Sequence, residues 1–206
     1  NNASQPPEGH TGAPGELNCS ASGCHVSTPI NNRNLFRIDI LSRPATYDTS
    51  VTYNMFVNNS AGTAAYGFEV TAVDANGFPA GTFFLNGANP TTTSLTTGSN
   101  GRQYVGHKNA NTTAAWAFKW KPNRYVGPVT FYIAGLGANN DGTVNGDQTY
   151  LDTLRFVGQG QPANLNADFS INNTTVCIGD AVTFTNTSTN ASSYIWDFGD
   201  GDSSNV

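Results

Sequence analysis

The sequence predicts an all-β protein built on an antiparallel β-sandwich. Three observations carry this. Apolar and polar residues alternate at period 2 in short runs, which is the mark of half-buried strands. Each run is bounded by Gly, Pro, Asn or Asp, and no stretch carries the 3.6-residue period of an amphipathic helix. Only 11% of the 206 residues are charged, and Gly, Asn, Thr and Ser fill the polar positions. Thr favours strands, while Gly and Asn favour turns. Twelve Phe, eight Tyr and three Trp supply core material that a disordered chain lacks.

Taken in chain order, residues 1–34 hold Pro6, Pro7, Pro14, Pro29 and scattered glycines with no apolar period, and read as an irregular arm. Strand character begins in "LFRIDIL", where Phe36, Ile38 and Ile40 alternate with Arg37 and Asp39. "VTYNMFV" repeats it with Val51, Tyr53, Met55 and Val57, and "YGFEVTAVD" with Phe68, Val70 and Ala72. "RQYVGH" reads as a strand ending at His107, and "AWAFKW" sets Trp116, Phe118 and Trp120 on one face. "VTFYIAGL" and "TYLDTLRFV" follow, each after a turn-rich segment. Residues 35–157 are thus expected to form one sandwich, with Trp116, Phe118, Trp120, Phe131 and Ile133 in or near its core. A linker, "GQGQPANLN", spans 158–166, and a second β pattern occupies 167–206. Some 40 residues rarely bury enough apolar surface to stand alone, so this unit is expected to be the first part of a longer domain.

Charge and motif content narrow the function. The formal net charge is −5 and no Lys/Arg cluster occurs, so nucleic acid is not an expected partner. No apolar run approaches the roughly 20 residues that cross a bilayer, and no membrane span is expected in this fragment. "NNASQPPEGH" lacks the basic and apolar regions of a signal peptide and reads as the start of a mature secreted chain. No G-x-S-x-G, H-E-x-x-H or P-loop pattern occurs, and the three histidines form no evident nucleophile–base pair. The expectation is a protein that is not an enzyme.

Chemistry concentrates in "CSASGCH", which holds Cys19, Cys24 and His25. Two thiols followed at once by a histidine is the order used for covalent c-type haem, the thiols joining the vinyl groups and the histidine binding iron. A Cys19–Cys24 disulfide is the competing reading, favoured by an oxidising compartment and permitted by a short loop. Zinc would need further ligands, and only the distant His10 or His107 are at hand. If haem is present, its sixth position falls first to His107 at a strand end and second to His10 in the arm. Met55, mid-strand among apolar residues, reads as core filler. "NNDGTVNGD" gathers Asn139, Asn140, Asp141, Asn145 and Asp147. Asp141 and Asp147 are candidate Ca²⁺ ligands, but the same residues are turn formers and no Glu closes the loop, so a turn is the preferred reading.

Several of these stretches also form a set: "TGAPGE" (Thr11 to Glu16), the Cys–His element, "YGFEVTA", "GHKN" around His107, "WAFKW" and "GPVTFYIAGLGANNDGTVNGD". Together, over residues 6–157, they resemble the Reeler-like "choice-of-anchor" domain of secreted Bacteroidetes-type proteins. Members usually carry C-x-x-C-H after the TGAPGE element, whereas this chain has C-x4-C-H. The resemblance implies a secreted β-sandwich at the outer cell surface, with haem c on Cys19, Cys24 and His25, and it adds weight to His107. "WDFGDG" (Trp196 to Gly201), preceded by "GDAVTFTNTS", resembles the first half of a polycystic-kidney-disease-type (PKD) domain, an immunoglobulin-like sandwich. That likeness implies a partner for Cys177 in a later part of such a domain. "DTL" resembles an O-glycosylation signal, with Thr153 as acceptor. The function expected is an extracellular structural or adhesive scaffold carrying one haem, with other surface proteins, glycans or a second copy as partners. The alternatives are the same scaffold with a disulfide and no cofactor, and a dedicated mono-haem electron carrier.

Overall fold

Alternation along the chain becomes two facing sheets. In the computed structural model, which describes residues 5–21, 24–61, 63–87, 91–109, 112, 114–158, 166–189, 194–197, 199 and 203–204, the chain divides into two compact units, Asn1–Gln159 and Gly160–Val206. Among the described residues there is no α-helix, and hence none long and apolar enough to cross a membrane.

Ten strands build the first unit: β1 (Phe36–Ile40), β2 (Thr46–Tyr47), β3 (Tyr53–Asn59), β4 (Ala65–Val73), β5 (Thr82–Leu85), β6 (Thr93–Thr97), β7 (Gln103–His107), β8 (Ala115–Lys121), β9 (Val129–Ala138) and β10 (Gln148–Gly158). One sheet has the order β1-β3-β8-β5 and the other β2-β10-β9-β4-β7-β6. In β3 and β8 every second residue is buried, as period 2 requires of a strand with one face on the core. Trp116, Phe118, Trp120, Phe131 and Ile133 are each no more than 2% exposed. Rings meet across the sandwich, Phe68 with Trp116 at 4.6 Å and Trp120 with Phe131 at 4.9 Å between centroids. Each such side chain contributes about 1.5–3 kcal/mol through the apolar area it removes from water.

The pairing departs from the expected antiparallel pattern at one margin. Strand β2 runs parallel to β10, pairing Thr46 with Val157. Tyr47 secures it by burying its ring and donating its hydroxyl to Gly127 O at 2.8 Å. Val51, grouped by alternation with Tyr53, lies before β3 and is exposed.

The outer face of the six-stranded sheet is where the functional geometry arises. Glu69 and Thr71 of β4 alternate with the core residues and should face water, yet both are buried. Thr71 donates its hydroxyl to Gln103 O of β7 at 2.9 Å, and the N-terminal segment meets Glu69. That segment's His10 N–H donates to Glu69 Oε2 at 2.7 Å, Thr11 and Ala13 are buried, and Ile30 bridges to Tyr150 of β10. The arm is irregular in structure but fixed to the sheet.

In the second unit β11 (Phe169–Ile171) pairs with β12 (Phe184–Asn186), and β13 (Trp196–Asp197) with β14 (Ser203–Ser204), both antiparallel. The rings of Phe169, Phe184 and Trp196 cluster with centroids 5.7–6.1 Å apart. Cys177 is an exposed free thiol. Linker residues 159–165, together with Phe198, Asp200 and Gly201 of the "WDFGDG" stretch, lie outside the described residues.

Candidate functional site

A cavity of about 300 Å³ opens between the arm and one end of the six-stranded sheet. The arm contributes Pro6, Pro7, His10, Cys19, Cys24 and His25. Strand β4 adds Ala65 to Phe68, β7 adds His107, and β9 adds Leu136 and Ala138. The loop after β9 closes the wall with Asn140, Gly142, Thr143 and Asp147. All five candidate haem residues named from the sequence therefore meet in one place.

The "TGAPGE" stretch explains how the arm is held. Gly12 N–H donates to Leu17 O at 2.7 Å, and Leu17 N–H to Gly9 O at 3.1 Å, which folds the stretch on itself. The Glu16 side chain, 4% exposed, then turns inward. Its carboxylate accepts from Thr11 Oγ1 at 2.5 Å, Arg102 Nη1 at 2.5 Å and Tyr104 OH at 2.7 Å. Arg102 also donates to Pro14 O and Gly77 O, so the buried pair has the extra hydrogen bonds that buried charges require. Directly after this anchor, Asn18 Oδ1 accepts from Ser20 N–H, and Cys24 N–H donates to Ala21 O at 3.0 Å. That turn places both thiols on the cavity.

Cys19 and Cys24 are half-buried free thiols. Burial pushes Cys19 up to about 12, with the nearby Glu69 carboxylate and Cys24 adding to it. Cys19 therefore stays a neutral thiol at physiological pH. Glu69 is itself pushed up to about 8, mainly by burial, against the lowering effect of the His10 N–H.

Each histidine has a defined setting. His25 Nδ1 lies 2.9 Å from Asp147 Oδ2, with the two side chains 13% and 1% exposed. His10 Nδ1 faces Pro7 O at 3.1 Å and Glu8 O at 3.2 Å. Carbonyls only accept, so these bonds place the proton on Nδ1 and leave the lone pair on Nε2. His107 Nδ1 lies 3.2 Å from Phe68 N and 3.3 Å from Phe68 O. Its ring covers Gly67, where a Cβ would meet Nδ1 and Cε1 at 2.9 Å. Met55 lies fully buried in the sandwich core.

The loop read as a Ca²⁺ candidate uses its carboxylates separately. Asp141 Oδ1 accepts from Thr143 N–H at 2.8 Å and its hydroxyl at 2.9 Å, and these bonds hold the carboxyl below its ordinary range. Asp147 turns inward to His25. Among the described residues no group of three or more His, Cys, Asp or Glu could hold a metal ion alone. Sequence reasoning gave no role to Glu16, Gly67 or Glu69 and did not pair Asp147 with His25. Only the family-like TGAPGE and YGFEVTA stretches signalled the first three.

No protein-family model matches the chain, and no curated protein matches it in sequence. Solved structures do. The human F-spondin reeler domain (fragment 1) superposes with a TM-score of 0.52 at 16% identity, covering 68% of this chain and 99% of that one. The Reelin-N domain of F-spondin gives 0.52 at 16% identity, covering 65% and 93%. At this identity the likeness is one of architecture: the chain contains a β-sandwich with the fold of a reeler domain.

Proposed function

We propose that this chain is an extracellular, non-enzymatic surface module whose reeler-fold unit carries one c-type haem. Cys19 and Cys24 would hold it through thioethers, with His25 as proximal ligand. The observation that supports this best is convergence. Two thiols, the adjacent imidazole and two further imidazoles line one cavity whose remaining wall includes Pro6, Pro7, Ala65, Phe68, Leu136 and Ala138. Apolar walls with a few convergent polar groups are the usual make-up of a cofactor site. Zinc would need clustered donors, and among the described residues no group of three or more His, Cys, Asp or Glu could hold an ion; haem would need only the two thiols as tethers and an imidazole for iron. At about 300 Å³ the cavity would hold part of a macrocycle.

When bound, haem c supplies one-electron exchange between ferric and ferrous iron. The protein residues supply binding and orientation. Asp147, 2.9 Å from His25 Nδ1, would hold the imidazole and leave Nε2 as the nitrogen able to ligate. The Glu16–Arg102 pair keeps the Cys–His turn against the sheet. His107, on the end of β7, is the first candidate for the distal position. His10 gains standing from its pinned backbone and its carbonyl-facing Nδ1. The second unit, with its PKD-like stretch, serves in this reading as a spacer module, and surface proteins or glycans are the partners.

The test is a visible spectrum of protein matured in a host competent for cytochrome c assembly. A sharp low-spin Soret band is expected, and either H107A or H10A should convert the iron to high spin while the haem stays attached. A colourless protein with a Cys19–Cys24 disulfide would establish the competing scaffold without a cofactor.

A further inference from the structure

Asp147 sits at the end of an Asn-rich loop that is closed by its own hydrogen bonds, one of which reaches its carboxylate. Asn139 Nδ2 donates to Asp141 Oδ2 and to Asn145 O, both at 3.0 Å, which draws the loop closed. Gly146, at φ +79°, passes so near this amide that a Cβ would meet Asn139 Nδ2 at 2.8 Å. The next residue is Asp147, one position before β10. Its Oδ1 accepts Asn139 N–H at 3.1 Å, and its Oδ2 faces His25 Nδ1 at 2.9 Å. The carboxylate is 1% exposed. A buried carboxylate is costly unless hydrogen-bonded, and here its second oxygen is committed to an imidazole on the cavity wall.

From this geometry we infer that Asp147 is the positioning residue for His25, a carboxylate that fixes its tautomer and gives its ligating nitrogen anionic character. The inference rests on the haem reading above and assigns the loop to tuning that site rather than to binding Ca²⁺. A histidine that donates its other N–H to a carboxylate is a stronger donor, with a fixed ring orientation. The negative charge favours ferric over ferrous iron, because the ferric state carries one more positive charge. The module's haem is thereby set to a low potential, suited to donating electrons rather than accepting them.

Two measurements test this. In the haem-loaded protein, Asp147→Asn keeps the shape of the side chain and removes its charge. The variant should retain its Soret band and shift the ferrous:ferric ratio at a fixed applied potential at least tenfold toward ferrous, about 59 mV for a one-electron couple. A purely structural role would leave the potential in place, so a haem-retaining variant shifted less than threefold overturns the inference. In the haem-free wild-type protein, ¹⁵N NMR should find His25 protonated at Nδ1. Asp147→Ala should abolish that preference. A wild-type His25 with its proton on Nε2 overturns the inference without need of any variant. If the wild-type protein never takes up haem but His25 shows the Nδ1 proton, the haem reading fails and the positioning stands.

Discussion

Glu69 is a carboxyl group that burial holds neutral at pH 7. Its folded value of about 8 lies above the ordinary carboxyl value of 4.5, so between these the folded state binds more protons than the unfolded state. Stability contributed at this position is therefore full below about 4.5 and falls as pH rises toward about 8. Glu69→Gln should remove that fall, giving a flatter denaturant midpoint between these limits. An unchanged slope would show that Glu69 is already ionised in the fold. Gly67 offers a second test at this scale. Alanine there would push the His107 ring from its seat, since the contact is 2.9 Å. The expected result is a shifted His107 ring resonance with about 1 kcal/mol lost, the low end for an overpacking change. An unmoved ring would contradict the geometry. Such residues were hidden in the sequence for a physical reason. The His25–Asp147 and His10–Glu69 contacts join positions 122 and 59 residues apart, and neither leaves a local period. The order Cys19, Cys24, His25 was legible because its chemistry is contiguous.

Elements differ in how openly they declare themselves. Strands β1, β3 and β8 face core on one side and solvent on the other, so their alternation is clean. Strand β4 is buried from Gly67 to Val73, with the His107 ring over Gly67, the arm on Glu69 and Gln103 beside Thr71, and its sequence shows only the core half of that pattern. Strands β5 and β6, "TFFL" and "TSLTT", carry too few alternating residues to be read. The arm itself has no period to read, because side-chain anchors rather than a strand ladder hold it. Removing Arg102 takes the cationic partner from the nearly buried Glu16 carboxylate, a change that typically costs about 3–5 kcal/mol. R102A should therefore raise hydrogen exchange at Gly12, Leu17 and Cys24, whose amides bond within the arm, while amides of β9 and β10 stay protected. Equal loss of protection in both would show that the arm is not a separately anchored element.

At the scale of the molecule, the sandwich is a rigid frame on which a short chemical element is mounted. Trp120 packs against Tyr47, Phe131 and Phe156 and donates its Nε1–H to Ala80 O at 2.9 Å. W120A should destabilise the first unit by about 3–5 kcal/mol; a loss below about 1 kcal/mol would place the centre of the core elsewhere. The reeler likeness accounts for this frame and leaves the cavity's contents to be measured. The most direct measurement is the intact mass of the native protein after maturation in a host that assembles cytochromes c. The proposed haem site predicts the polypeptide mass plus one haem, retained after denaturation because the links would be covalent. A mass two hydrogens below the reduced polypeptide, with Cys19 and Cys24 joined, would contradict it.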